Sequence, residues 1–484
     1  MNYKMVGRII ALILVVEAAF MVPPLLLCLA DREPGVAMSF IYSMFIILLT
    51  AGVLGLLSRG VHRGFYAREG LACVGLCWIV MSLLGCLPFW LSGQIPHYVD
   101  ALFEIVSGFT TTGSSILPRV EGLSRGILYW RSFSHWVGGM GVLVFLLALV
   151  PLSGNSDGFT MHLLRAESPG PSVGKLVPRM KQTAAILYFL YIILTVLDIA
   201  FLLAGHMPWF DAVCTAFGTA GTGGFATRND SMASFSPYLQ NVCTVFMMLF
   251  GVNFSCYYLL MLRRFRSFFA DEELHLYFGV AAASTTMIAL NLRGFYPTVG
   301  ETIRHAAFQV SSIMTTTGFA TTDFDRWPSF SKAILLCLMV IGACAGSTGG
   351  GLKCSRVLLL GKVLHRNFRQ MLRPRQVQAV RMNGHAVDEK VLEQINVYLT
   401  VYVLIVAASF TIISIDGFSL TSNFSAVLSC FNNIGPGLDQ VGPASNFGGY
   451  SDLSKLVLVF DMLAGRLEIF PVLTLFVPAV WKKS

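Results

Sequence analysis

Four short clusters of threonine, glycine and asparagine carry the chemistry this sequence offers. They are Thr110-Thr111-Thr112-Gly113, Gly221-Thr222-Gly223-Gly224, Thr315-Thr316-Thr317-Gly318 and Asn432-Asn433-Ile434-Gly435. Each follows a short apolar run that a polar or charged residue opens: Asp100, Asp211, His305 and Ser422. Residues of these types make poor helix but good extended backbone, with carbonyls free to face inward. Four such loops can form a ring of carbonyl oxygens that replaces the water around a cation. One cluster alone is ordinary turn chemistry. Four at equal offset from a closing glycine, each between two long apolar segments, are not explained as turns.

The elements that position these clusters are membrane helices. The chain is 55% hydrophobic and 12% charged, against about 25% charged for a soluble domain. Each run before a glycine is too short to cross a bilayer, which takes roughly 20 apolar residues, and fits a re-entrant helix. Irregular backbone at membrane depth survives only when buried in protein or lining a wet cavity. The first two spans are Ile9–Leu29 and Met38–Leu57. Glu17 interrupts the first and is expected to face other helices rather than lipid. Leu71–Leu91 is the third, with Trp78 and Trp90 as expected interface anchors.

An order of span, re-entrant helix and span then occurs four times. The second helices are Ile127–Leu152, Leu239–Leu262, Ala333 onward and Lys455–Val480. The first helices of units two to four are Ala184–Leu203, Leu274–Leu292 and Val397–Ile415. The expected fold is all-α, with four span–pore-helix–span repeats in pseudo-fourfold arrangement plus two leading helices, about ten crossings in all. The divisions are 1–69 for the leading pair, then 70–183, 184–270, 271–390 and 391–484.

Charge tests this topology. Lysine and arginine gather in alternate loops: Lys4 and Arg8; Arg59, Arg63 and Arg68; Arg165, Lys175, Arg179 and Lys181; Arg263, Arg264 and Arg266; the segment Lys353–Arg381, which includes Arg375; and the tail Lys482-Lys483. The loops holding the four glycine clusters are poorer in both. The positive-inside rule puts both termini in the cytoplasm and the clusters on the outer side. The net charge of +8 is thus a topology signal and not one for nucleic acid. The eleven cysteines are scattered, and Cys73 and Cys77 read as small core residues rather than metal ligands.

Two features depart from plain spans. The third unit's second helix meets Gly342–Gly351, GACAGSTGGG, where glycine density opposes continuous helix at about 1 kcal/mol each. A helix end or a close helix contact is one reading; a loop within the membrane that obstructs or opens a pore is the other. Arg466 lies in an otherwise apolar span, where a central arginine costs at least roughly 2.5–3.5 kcal/mol. Pairing with Asp461 or Glu468 would relieve it, and so would a water-filled cavity, where its charge would oppose cations. Gly138-Gly139-Met140-Gly141 permits close helix packing.

With these motifs assembled, the chain resembles the TrkH branch of the Trk/Ktr/HKT superfamily of potassium transporters over essentially its whole length. The matching stretches are TTTGS, TGGFAT, TTTGFATTDF, NNIGPG, AGSTGGGLK and GRLEIFPVL. The resemblance implies potassium uptake across a bacterial inner membrane. It implies a filter at Thr111, Thr112, Gly113, Thr222, Gly223, Gly224, Thr316, Thr317, Gly318, Asn433, Ile434 and Gly435. The second loop's adjacent glycines leave its register open by one residue. It further implies gating by Gly346, Ser347, Thr348, Gly349, Gly350 and Gly351 with a barrier at Arg466. The implied assembly is a homodimer carrying a cytosolic TrkA-like tetramer that binds nucleotides. This chain has no P-loop or Rossmann fingerprint of its own. A sodium-permeable or sodium-coupled relative is the alternative, and Gly113, which is serine in some such relatives, argues against it. A membrane-embedded enzyme would need clustered His, Asp or Glu; His135 and Asp198 stand alone and read as structural.

Overall fold

The computed structural model describes residues 1–60, 67–139, 141, 180–374 and 378–481. Several expectations lie outside them: the end of the Ile127–Leu152 span, the loop with Arg165, Lys175 and Arg179, and Arg63, Met140, Arg375, Lys482 and Lys483. The regular structure of the described residues is helical apart from one hairpin of two two-residue strands.

Helices α1 (Tyr3–Phe20) and α2 (Val22–Ala30) form one 28-residue span, jointed at Met21 just before Pro23-Pro24. Helix α3 (Pro34–Leu57) runs beside α1. Its exposed Phe45, Leu49 and Leu57 would form an unstable patch in water and suit lipid. Helix α4 (Ala67–Gly85) continues through α5 (Leu87–Leu91). Glu17 is buried as expected, and Cys73 and Cys77 sit in the core. Trp78 is a correction: it is buried inside the helix packing at 1% exposure, while Trp90, at the helix end, remains exposed.

The four short helices expected to be re-entrant are α6 (Tyr98–Phe109), α9 (Trp209–Gly221), α14 (Val299–Met314) and α18 (Leu420–Phe431). Their partners are α7 (Arg125–Gly139), α8 (Met180–Ala204), α10 (Pro237–Phe250), α11 (Phe254–Met261), α13 (Glu272–Asn291), α15 (Ser329–Ile341), α17 (Glu389–Ile413) and α19 (Asp452–Arg466); a short α12 (Phe265–Phe269) precedes α13. Each re-entrant helix packs on both helices of its own unit and on the second helix of the unit before. Thus α6 meets α4, α7 and α19; α9 meets α8, α10 and α7; α14 meets α13, α15 and α10; α18 meets α17, α19 and α15. The circuit closes from the last unit onto the first.

Among the described residues, five helices are long and apolar enough to cross a membrane: Tyr3–Ala30, Pro34–Leu57, Arg68–Leu91, Ala185–Ala204 and Glu389–Asp416. The second helices of the units, which the reading of about ten crossings counts as spans, are shorter or broken among the described residues. Helices α10 and α11 meet at 88° across a break where Asn253 caps the new helix by accepting from the Ser255 N–H at 2.9 Å. Helix α15 stops at Gly342, φ 71°, as glycine density anticipated. Helix α19 stops at Arg466, and Glu468 and Ile469 both take positive φ. Average hydropathy counts apolar residues but not such breaks. After Leu372, where α16 (Cys354–Leu372) ends, the chain turns through β1 (Arg381–Met382) and β2 (His385–Ala386) into α17.

Two glycines let second helices touch the ends of re-entrant ones. A methyl on Gly138 would lie 1.8 Å from the Phe109 carbonyl oxygen, and one on Gly465 1.8 Å from that of Phe431. Around Gly52 of α3 the space is open. Gly465→Ala should therefore cost about 1–3 kcal/mol through overpacking, whereas Gly52→Ala should be neutral or slightly stabilising. Thermal melts of both purified variants in one detergent check this contrast.

Candidate functional site

The four clusters adopt one backbone conformation. The residue two before each closing glycine is left-handed: Thr111 (φ 56°), Thr222 (54°), Thr316 (59°) and Asn433 (56°). The closing glycines Gly113, Gly224, Gly318 and Gly435 follow at 81°, 75°, 85° and 107°. The N–H of the residue between donates five residues back. These bonds are Thr112 to Ser107 at 2.8 Å, Gly223 to Gly218 at 2.8 Å, Thr317 to Ser312 at 2.8 Å and Ile434 to Ser429 at 2.9 Å. This is the hydrogen bond of a Schellman helix stop, with threonine or asparagine where glycine is usual. A β-branched residue at positive φ is a genuine outlier, costing about 1–3 kcal/mol unless its surroundings over-determine it.

Those surroundings are the neighbouring loops. A methyl on Gly113 would lie 1.8 Å from the Gly223 carbonyl oxygen, and one on Gly224 2.0 Å from that of Thr317. A methyl on Gly318 would lie 2.1 Å from the Ile434 oxygen, and one on Gly435 3.0 Å from that of Thr112. Loop one thus abuts loop two, two abuts three, three abuts four, and four returns to one. The equivalence resolves the second loop: Thr222 makes the left-handed turn, Gly223 takes the place of Thr112, and Gly224 closes. Thr111, Thr112, Thr222, Thr316, Thr317, Asn433 and Ile434 are all fully buried. Four helix C-termini end at this circuit, each bringing roughly half a negative charge, a field that favours a cation.

Side chains rivet adjacent loops. Ser114 Oγ donates to the Gly435 carbonyl at 3.0 Å, and Asn433 Nδ2 to Thr112 Oγ1 at 3.0 Å. His135 lies between loops one and two, with Nδ1 2.8 Å from the Gly108 carbonyl and Nε2 accepting from the Phe225 N–H at 3.2 Å. That pair of bonds needs the Nδ1–H tautomer and makes His135 structural, as its isolation in the sequence implied. Lys455 Nζ reaches Asp100 Oδ1 at 2.5 Å, joining α19 to α6. Outside the membrane helices, Ser419 and Ser422 donate to Asp439 and hold its carboxyl below the usual carboxylate range.

A buried ion pair is the feature that sequence reasoning missed. Arg131 Nε lies 2.6 Å from Glu104 Oε1, and both residues are almost wholly buried. Glu104 also accepts from Ser115 Oγ at 2.9 Å and the Ile116 N–H at 3.0 Å, just beyond loop one. Arg131 also donates to the Ala226 carbonyl at 3.1 Å and lies 3.5 Å over the Phe225 ring, just beyond loop two. The available signal was Glu104 in the middle of a short apolar helix and Arg131 in the middle of the helix after it, each too costly to bury unpaired.

The glycine-rich stretch runs beneath loops three and four, on the side where their helices end. Gly350 N–H donates to Thr316 Oγ1 at 2.7 Å. Methyls on Gly349 and Gly350 would lie 2.9 Å from the Thr315 oxygen and 2.3 Å from the Asn432 oxygen. Gly346 lies beside Asn253 and Gly351 beside Gly342. Ser347 Oγ donates to the Cys344 carbonyl at 2.7 Å, and Thr348 Oγ1 to that of Phe250 at 3.3 Å. Glu273 Oε1 accepts from the Ala345 N–H at 2.7 Å and the Ser355 N–H at 2.9 Å, stapling both ends of the stretch to α13.

Arg466 spans this stretch and the first unit. Its Nη1 donates to the Thr348 carbonyl at 2.8 Å, and its Nη2 to the carbonyls of Gly138 and, at 2.7 Å, Gly139. The position expected deep within a continuous span is instead a helix end. The two carboxylates considered as its partners are engaged elsewhere: Glu468 pairs with Arg356, and Asp461 accepts from Ser409 Oγ at 2.7 Å.

Residues 37–291 and 295–483 match the TrkH family, described as a cation transport protein. The chain is 35% identical to "Trk system potassium uptake protein TrkH" of Salmonella typhimurium, with all of both chains covered. It is 31% identical to "Trk system potassium uptake protein TrkG" of Escherichia coli K12, over 96% of this chain and 95% of that one. The crystal structure of the potassium transporter TrkH from Vibrio parahaemolyticus superposes with a TM-score of 0.89 over all of both chains, at 31% identity. The chain belongs to the TrkH family. It is therefore one of a family of transporters, not enzymes.

In this TrkH-family chain, Glu104→Gln should keep the side-chain shape but leave the Arg131 charge buried without its counter-ion. Breaking a buried pair this way costs about 3–5 kcal/mol. The expected outcome is a lower melting temperature and reduced folded yield. Exchanging the pair as Glu104→Arg with Arg131→Glu should recover part of that loss if the charge pairing itself is responsible.

Proposed function

We propose that this chain carries potassium across the cytoplasmic membrane of a bacterium through a channel-like pore. The selectivity filter is formed by Thr111–Gly113, Thr222–Gly224, Thr316–Gly318 and Asn433–Gly435, in four units of pseudo-fourfold arrangement. The observation that carries this reading is the closed circuit in which each loop's glycine faces a carbonyl of the next. Desolvating a cation requires inward oxygens held in place, and a ring of strained, mutually packed loops supplies them. The relatives' names as potassium uptake proteins support potassium as the ion.

Gly346–Gly351 form the gate and Arg466 the electrostatic barrier. The stretch lies under the filter and has few side chains to fill the space, and its hold there includes hydrogen bonds that a shift of α16 could break. Both termini face the cytoplasm, as the charge pattern indicates; Tyr3 stacks on Trp481 and Lys4 Nζ reaches the Arg59 carbonyl at 3.3 Å, so the two ends of the chain share one side. The working assembly is a homodimer, with a TrkA-like nucleotide-binding tetramer docked on the basic cytoplasmic segment that follows the gate. The relatives' description as parts of a "Trk system" supports such a partner.

Gly113→Ser would place a side chain at φ 81° within 1.8 Å of a neighbouring carbonyl. The ring must widen there, so sodium should compete more effectively with rubidium uptake while the protein still inserts. Unchanged exclusion of sodium in a competition assay would contradict the filter assignment, and sodium-driven uptake by the unaltered protein would favour the sodium-coupled alternative.

The Arg466 charge should slow cations. Two unit charges about 4 Å apart interact by about 4 kcal/mol at an effective dielectric of 20. Arg466→Ala removes the charge and three donors that hold the gate to the first unit, so rubidium flux per folded dimer should rise. Arg466→Lys should keep most of the barrier. Lower flux per folded protein in the alanine variant would mean that Arg466 is only a structural clasp.

A further inference from the structure

The basic segment beyond the gate lines an open pocket of about 500 Å³ between α13, α16 and the chain leading into β1. Its floor is apolar: Leu276, Val357 and Leu358. His365, Arg369 and Arg381 line its rim together with Lys362 and Arg366. The last two already have acidic partners, Glu272 and Glu389 respectively. Arg369 and Arg381 have no carboxylate partner among the described residues. The pocket is thus lined by two cations without a carboxylate partner among the described residues together with apolar side chains.

In a single copy of the chain, the helix that lines this pocket also exposes an apolar face. Leu364, Phe368, Met371 and Leu372 are exposed by 58, 58, 76 and 82%, at the spacing of one helical stripe. A helix with an apolar face and a cationic face belongs in a membrane interface, its apolar side toward the acyl chains. Leu276 lies little more than one turn into α13, so the cavity floor falls near the boundary between headgroups and acyl chains in the orientation proposed above.

We propose that this cavity is a binding site for an anionic phospholipid, with the phosphate on Arg369 and Arg381 and the proximal acyl chain on Leu276, Val357 and Leu358. Basic pockets between membrane helices on the cytoplasmic side have the chemistry to take such headgroups. Charge and apolar area are matched here to an amphiphile with an anionic head. The site rests on the proposed orientation. It also gives the lipid a route to the gate, because α16 starts at Cys354, directly after Gly346–Gly351. An occupied cavity would fix α16 against α13 and so limit movement of the stretch it carries.

The test titrates the full-length protein in mild detergent with phosphatidylglycerol and with phosphatidylcholine, counting bound lipid by native mass spectrometry. The unaltered protein should retain phosphatidylglycerol in preference. Each cationic side chain near an anionic headgroup contributes roughly fivefold in affinity, so Arg369→Gln with Arg381→Gln should weaken binding by about 25-fold. Arg369→Lys with Arg381→Lys should keep most of it, which separates loss of charge from loss of fold. Arg263→Gln with Arg264→Gln, equal in charge removed but in another loop, should change little. Inorganic phosphate should fail to displace the lipid. Equal retention by the glutamine variant, equal loss in the control variant, equal affinity for phosphatidylcholine, or displacement by inorganic phosphate would each overturn the site. So would a glutamine variant that keeps phosphatidylglycerol and loses only a cytosolic regulator. Rubidium flux through the same variants reads the transport proposal separately.

Discussion

Backbone that is not helical must be satisfied inside a membrane, and the arrangement of this chain follows from that constraint. Four helices end partway through the protein, each leaving carbonyls without intrahelical donors. Water cannot be relied on at that depth, and an unsatisfied polar group there costs several kcal/mol. The solution is the same four times: a backward hydrogen bond from Thr112, Gly223, Thr317 and Ile434 stops the helix, and the next carbonyls press on the glycine of the adjoining loop. No single loop could hold this conformation alone, because Thr111, Thr222 and Thr316 are β-branched at positive φ. Each is held by its neighbour, so the ring forms as a whole.

The same demand explains the shell around the ring. His135, Ser114 and Asn433 each supply a hydrogen bond between adjacent loops. The Glu104–Arg131 pair does so where charge is most expensive to bury, and each partner also satisfies backbone of a different loop. Burial makes such a pair weak as a source of stability but strict as a specifier of geometry. It sits between the first and second units. At the place corresponding to Glu104 the third unit has Gln309, which is neutral, so the four units share a backbone without sharing their supports.

Beneath the ring, the second helices are broken. A continuous helix packed at that depth would be rigid. Glycines at 342, 346 and 351 with positive φ replace it by a stretch held through a few contacts: the Thr316 hydroxyl, the Glu273 carboxylate, Lys353 and Arg466. Arg466 bonds to the stretch and to the first unit's helix end at once, so the interaction that holds the stretch also places a positive charge beneath the loops.

Much of this was legible in the sequence because it is written locally. Composition makes the chain a membrane protein, since apolar spans have no other favourable place. Glycine at four equal offsets marks where the four loops close, though not that the left-handed turn before each falls on Thr111, Thr222, Thr316 and Asn433, and the density at Gly342–Gly351 marks a helix that cannot continue. Local pattern could not show which loops adjoin, nor that Leu239–Leu262 bends by 88°, nor that Arg466 ends its helix. It could not pair Glu104 with Arg131, or Arg466 with Gly138, 328 residues away in the chain. Those choices belong to the tertiary structure, because a buried charge or carbonyl takes whichever partner the packing brings within about 3 Å, and sequence separation carries no information about that distance.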